Sequence, residues 1–216
     1  MMPRPDWRTA IAHPRFRWAL AMAMVAGVLV IAGLPVFFRW VGSRQGAFPP
    51  EPLLPRIGPW DASAPTFTVL YGTLLLVVFS IAGRPLLVLR GLFAYLLMVV
   101  LRMLSMALII LEPPPDIIPL VDPVTAIFYP DNTPFLKDLF FSGHTATLVL
   151  VALVAPRGPV RWLASLAALA VAALVLVQHV HWTVDVLAAI PAALLAWWLA
   201  GALLRRWGLR PGPGAV

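Results

Sequence analysis

Residues Trp18 to Phe38 read WALAMAMVAGVLVIAGLPVFF, twenty-one positions without a charge. As a helix rising 1.5 Å per residue, such a run reaches about 30 Å, the thickness of a bilayer's hydrocarbon core. Arg4, Arg8, Arg15 and Arg17 precede it. A secretory signal is the rival reading, but the run outlasts a typical signal core and lacks a clear small-residue cleavage site. It therefore reads as a retained first span. The whole chain agrees: 61% of its 216 residues are hydrophobic and 12% charged, with a mean hydropathy of +0.90. Soluble domains carry about a quarter charged residues, so an ordinary soluble enzyme is excluded. A disordered tail needs the opposite balance. The absence of cysteine excludes disulfides, zinc–thiolate sites and thiol nucleophiles.

Five further apolar runs follow: Thr66–Gly83, Gly91–Leu111, Leu139–Ala155, Trp162–Gln178 and Trp182–Leu204. Prolines forbid a regular helix between Arg39 and Pro65, which reads as a loop with a short interfacial piece around Trp60. Leu86–Arg90 reads as a short amphipathic surface segment, and Pro113-Pro114-Pro115 ends the third run. No run alternates with period two, and without water only helices or closed barrels satisfy the backbone. The expected fold is an all-α integral membrane protein of six transmembrane helices. Residues 1–17 form an N-terminal segment, 18–204 the membrane domain and 205–216 a tail.

Six spans put both termini on one side. That side collects eleven arginines: Arg4, Arg8, Arg15, Arg17, Arg84, Arg90, Arg157, Arg161, Arg205, Arg206 and Arg210. The other side holds four bases: Arg39, Arg44, Arg56 and Lys137. The positive-inside rule places both termini in the cytoplasm. The formal charge of +7 thus reads as topology, not as a nucleic-acid surface. The loop Glu112–Asp138, with its five acids, lies on the outer side.

In so apolar a chain, ionisable residues near spans are functional candidates by default. His13 sits among arginines and reads as solvated. His144, His179 and His181 all fall at outer span ends. Ser142-Gly143-His144 opens the fourth run, where free N–H groups and the helix dipole make an anion seat, and Gly143 allows a ligand close to the backbone. His181 and Asp185 are four apart and share a helix face. The carboxylate then orients the ring and leaves its other nitrogen as base or nucleophile. A structural hydrogen bond is the plain alternative for the pair. Beside Ser-Gly-His on a neighbouring helix end, the pair makes a phosphoryl-transfer constellation. His179-x-His181 is a poor metal pair, because i and i+2 diverge on a helix, and no metal or cofactor is expected.

The blocks Asp138-Leu-Phe-Phe-Ser-Gly-His-Thr145 and His179-Val-His-Trp-Thr-Val-Asp-Val186 resemble the signature blocks of the sphingomyelin synthase family, within the type 2 phosphatidic acid phosphatase (PAP2) superfamily. Trp182 stands where that family usually has Tyr. Arg102-Met-Leu-Ser-Met106 looks like the family's Arg-containing helix, and the resemblance covers roughly residues 84–200. It implies a PAP2-like six-helix bundle with an exoplasmic site. It also implies His181 as nucleophile, Asp185 as its orienter and His144 as leaving-group acid and later base. Asp138 is then placed to bond a histidine or meet a cationic head group. The Lys-x6-Arg-Pro block of the general phosphatases fails here, with Val77 at the Lys position before Arg84-Pro85. Their Ser-Arg before the last His block is replaced by Leu174–Val177. Arg102, about 14 Å below the outer end of its run, becomes the expected phosphate partner or an internal ion pair, with Glu112 a weaker candidate.

The implied reaction moves phosphocholine or phosphoethanolamine from a glycerophospholipid to the hydroxyl of ceramide or diacylglycerol. Hydrolysis on the same residues, as a lipid phosphate phosphatase or phospholipase C-type enzyme, is the alternative. A non-enzymatic lipid-binding or scrambling protein is the second. Composition suits a bacterial inner membrane with the site facing the periplasm.

Overall fold

A computed structural model describes residues 6–120, 122 and 136–209. Arg4, Asp131 and Arg210, counted above in the charge distribution, lie outside these described residues. The helices are α1 (Trp7–Ala12), α2 (Pro14–Gly42), α3 (Ser63–Ile81), α4 (Pro85–Leu108), α5 (Gly143–Val154), α6 (Pro159–Val177) and α7 (Thr183–Arg206). A 3-10 turn spans Leu54–Arg56. Extended pairing among the described residues is limited to one bridge, Ala47 with Leu111. Pro14, Pro85 and Pro159 begin helices at the first turn, where a missing N–H and a preset φ cost nothing.

Five helices (α2, α3, α4, α6 and α7) are long and apolar enough to cross a membrane. The described residues thus form an all-helical bundle with five candidate membrane spans, as an integral membrane protein would. The fourth run departs from expectation. Only its last part is helical, and the 12 residues of α5 reach about 18 Å, short of a roughly 30 Å core. Leu139 and Phe141 are buried without being helical. The carbonyls of Asp138, Phe140 and Phe141 are claimed instead by Arg102 and Ser105 of α4.

Two more expectations are corrected. Leu86–Arg90 is no separate surface segment but the first turns of α4, with Leu87 and Leu89 buried. The Arg90 charge need not reach the surface, because its guanidinium lies over the Trp197 ring at 3.6 Å. The third run ends as a helix at Leu108, so Arg102 stands six positions, about 9 Å, from that end rather than 14 Å.

Small residues let the helices approach closely. Ala189, Ala193, Ala196 and Ala200 line the buried face of α7 against Leu89, Phe93 and Ala94 of α4 and Ala146 of α5. A second cluster joins Val77 of α3, Leu148 and Val151 of α5, and Ala164, Ala168 and Val171 of α6. Alternating helix direction gathers several loops at one end. There Trp60 donates its N–H to Val177 and Ser142 donates to the carbonyl of Asp185.

Candidate active site

Two loop-to-helix junctions meet at that end. The first is the start of α7. Its orphan N–H groups are not left to water. Thr183 donates its N–H to Glu51 Oε2 (2.9 Å) and its hydroxyl to Glu51 Oε1 (2.8 Å). Asp185 Oδ2 accepts the Trp182 N–H at 3.0 Å. Together they cap the helix from outside and from within. Glu51 lies in the proline-rich loop outside the spans. Partial burial works against its charge, but hydrogen bonds from Thr183, Leu53 and Leu54 outweigh it and hold the carboxyl below its ordinary 4.5.

His181 precedes this cap and is 3% exposed. Its Nδ1 lies 3.4 Å from Asp185 Oδ2, longer than a tight nitrogen–carboxylate hydrogen bond. Asp185 is fully buried, and its Oδ1 has no hydrogen-bond partner among the described residues. The pairing read from the i, i+4 spacing is therefore present as a loose approach, with the second carboxylate oxygen in reserve.

His179 has a different part. It adopts a left-handed φ of 56° and closes α6 in a Schellman turn, with its own N–H on Leu176 and that of Val180 on Val175. Its Nε2 meets the Ile57 carbonyl at 2.9 Å. It pins the Ile57 loop to the end of α6. Gln178 beside it is fully buried. It accepts from Ala62 N–H and donates to Ser63 Oγ and the Pro119 carbonyl, tying the start of α3 and the loop after α4 to α6.

The second junction starts α5. Ser142 Oγ caps the helix by accepting the Thr145 N–H at 3.4 Å and donates to Thr145 Oγ1 at 3.1 Å. The Ser142 N–H bonds the Asp185 carbonyl at 3.0 Å, locking the two junctions together. The His144 and His181 ring centroids are 6.2 Å apart, tilted by 59°, and Phe67 packs edge-on against His144 at 5.8 Å. A phosphorus atom at near-attack distance, about 3 Å from a nitrogen of each ring, fits this spacing. Nδ1 of both rings is buried without a hydrogen-bond partner among the described residues.

Arg102 reaches this point from α4. It forms an ion pair with Asp138 at 2.8 Å, and bonds the carbonyls of Phe141 at 2.8 Å and Asp138 at 2.9 Å. These use three of the guanidinium's five N–H donors. A Cβ on Gly143 would lie 2.9 Å from Arg102 Cζ. The glycine thus makes room for the arginine's plane, not for an incoming ligand as the sequence suggested.

His144, Arg102, Asp138 and Gly143 form one end of a cavity of about 820 Å³ between α2, α3, α4 and α5. Asp122 and Tyr71 join that end, with Tyr71 donating its hydroxyl to Asp122 at 2.7 Å. His181 and Asp185 are not among the lining residues and stand beside His144. Seven of the eight sequence-derived residues are thus brought together: His144, His181, Asp185, Ser142, Gly143, Arg102 and Asp138. Glu112 is held elsewhere. Its carboxylate accepts from Lys137 at 2.8 Å and from Gly46 N–H at 2.7 Å. Lys137 first and Gly46 second hold its pKa below the ordinary 4.5. Glu112 meets the site only through its carbonyl, which accepts the Trp182 indole N–H at 2.9 Å. Among the described residues, no group of three or more His, Asp or Glu converges as metal ligands would.

Glu51, Gln178 and the Tyr71–Asp122 pair are further residues at this end that no motif marks. Glu51 was visible as the lone acid between Arg44 and Arg56, and Gln178 as an amide closing an apolar run.

Residues 137–202 match the family model described as PAP2 superfamily C-terminal. This span contains both histidine blocks and supports membership of the PAP2 superfamily. A search of curated proteins returns no match.

Proposed function

We propose that this protein transfers a phospho-alcohol head group between lipids through a covalent phosphohistidine. PAP2 superfamily members are generally enzymes acting on lipid phosphates, which supplies the coarse activity. The observation that carries the reading is the pair of buried rings, 6.2 Å apart, beside an otherwise apolar cavity. In the first step a nitrogen of His181 attacks phosphorus. The bond from phosphorus to the diacylglycerol oxygen breaks, and His144 protonates that oxygen. In the second step His144 takes the proton of the acceptor hydroxyl, whose oxygen attacks phosphorus and expels His181. Asp185 lies beside Nδ1 and favours the ring charge that builds on attack.

The charge at the cavity end bears on the substrate. Its single guanidinium, Arg102, is paired with Asp138, and Asp122 adds a second carboxylate. A dianionic phosphate monoester would meet like charge there. A phosphodiester carrying a cationic head group, phosphocholine or phosphoethanolamine, meets complementary charge. An apolar surround favours ceramide or diacylglycerol over water as acceptor. The arginine distribution supports six spans, with α5 as the short fourth. It also supports cytoplasmic termini and an exoplasmic site, periplasmic in a bacterial inner membrane.

The test supplies purified protein with head-group-labelled phosphatidylcholine or phosphatidylethanolamine, with and without ceramide or diacylglycerol. Label appearing in a new lipid supports transfer. Label appearing only in water assigns a hydrolase and overturns it.

A further inference from the structure

The geometry points to a chain-length ruler: the cavity running inward from His144 seats one aliphatic chain of the donor lipid, and Trp7 is its floor. This rests on the lipid-phosphate reading above and deepens it. The cavity carries its ionisable groups at one end only. Arg102, Asp138, Asp122 and His144 stand there, whereas Leu74, Val77, Ile81, Val88, Val151 and Val154 line the rest. At roughly 30 Å³ per water, 820 Å³ would hold more than twenty waters, which an apolar wall cannot hydrogen-bond. The cavity is open along one side, where its lining residues Val78 and Tyr95 are 48% and 45% exposed, so it is an apolar groove and not a sealed void. The lining therefore calls for a long apolar occupant with its polar head at His144.

Depth agrees. From His144 the lining runs to Val154 on α5 and from Arg102 to Val88 on α4, with Met103 and Met106 continuing it past Arg102. At 1.5 Å per residue these are about 15 and 21 Å. One leaflet of a bilayer core is about 15 Å, so the cavity has the reach of a lipid chain.

The far end is closed by a built stop. Trp7 opens α1, which Asp6 caps by accepting the Thr9 N–H at 2.8 Å. The indole lines the cavity beside Ala82 and Val88. Its N–H donates to the Ala82 carbonyl at 2.5 Å, and its ring packs edge-on against Phe16 at 6.2 Å. An ordinary interfacial tryptophan anchors a protein to the head-group layer. This one is pinned across the gap between α2 and the α3–α4 turn, at the bottom of the cavity.

The experiment measures release of labelled head group from a series of phosphatidylcholines differing only in chain length, in mixed micelles. Wild-type turnover is expected to fall several-fold beyond a limiting length. Trp7→Ala moves that limit to longer chains, with short-chain turnover within about twofold. Trp7→Phe, which keeps a ring but loses the hydrogen bond, falls between. Leu74→Trp, which narrows the channel midway, moves the limit to shorter chains. Changing the acceptor's chain leaves the limit in place, and a limit that follows the acceptor overturns the assignment to the donor. A limit that is absent, or unchanged in Trp7→Ala and Leu74→Trp, overturns the ruler. A second readout does not need turnover. A phosphatidylcholine with a photoreactive group at the chain terminus should label the peptides carrying Trp7, Ala82 or Val88, and one with the group near the carboxyl should label those carrying Met98 or Met103. Terminal labelling confined to outward-facing Leu166 and Leu169 overturns the proposal. Specific labelling without any turnover leaves the ruler standing and fails the catalytic reading.

Discussion

Arg90 and Arg102 stand on the same helix, α4, and each lays its guanidinium against a glycine of a neighbour. A Cβ on Gly201 of α7 would lie 2.7 Å from the Arg90 Nη2, and one on Gly143 of α5 would lie 2.9 Å from Arg102 Cζ. The surroundings then diverge. Arg90 meets the Trp197 ring at 3.6 Å and the Trp197 carbonyl at 3.2 Å. Arg102 meets the carboxylate of Asp138 and two carbonyls of the stretch that leads into His144. One arginine clamps two long helices. The other braces the non-helical residues that present a histidine. The same device fixes a scaffold at one level and aims a reactive group at the other.

That contrast is open to breakage. Gly143→Ala pushes the Arg102 plane off its three partners, shifting Ser142-Gly143-His144. Misplacement by about 1 Å costs on the order of 100-fold in rate. Activity is therefore expected to fall about 100-fold with the fold retained, as read by head-group release beside thermal unfolding in detergent. Equal losses of fold and activity would remove the distinction between the two arginines. Arg102→Lys keeps the charge but not the planar fork that reaches Asp138 and two carbonyls at once. A loss of about tenfold is expected, concentrated in kcat, because the brace positions His144. At the scaffold level the pattern inverts. Gly201→Ala overpacks a helix contact and costs about 1–3 kcal/mol of stability, with kcat within about twofold.

The smallest effect concerns the loop cap on α7. The Glu51 carboxyl is held below its ordinary 4.5, so its folded form binds protons less readily than its unfolded form. Its contribution is complete above 4.5 and is lost as pH falls through the lowered value. The Tm of wild-type protein should drop more than that of Glu51→Gln between about pH 6 and pH 3. Parallel curves for the two would show that Glu51 does not cap the helix.

Much of this was legible in the sequence because charge is so scarce. Apolar runs located α2, α3, α6 and α7 within about four residues at each end, whereas α4 begins six residues before its run. His144, His181 and Asp185 stood out because polar groups in spans are costly. What was not legible depends on partners far along the chain. Leu139-Phe140-Phe141 reads as helix by composition, but it is non-helical, with the carbonyls of Phe141 and Phe140 taken by Arg102 and Ser105. Arg90 reads as a surface arginine until Trp197, 107 positions on, covers it. Glu112 reads as a free loop acid until Lys137 and Gly46 close on it. Glu51 finds Thr183 across 132 positions, and no local pattern announces that pairing.

The proposed transfer requires His181 to become covalently bonded to phosphorus, beside His144. Its direct measurement is mass spectrometry of peptides after rapid alkaline quench of protein turning over phosphatidylcholine. The expected result is a phosphocholine adduct on the peptide carrying His181. The adduct should vanish in His181→Ala, with turnover lower by at least about 1000-fold, as expected for loss of a nucleophile. A His181→Ala protein that still releases head group at the wild-type rate would contradict the account.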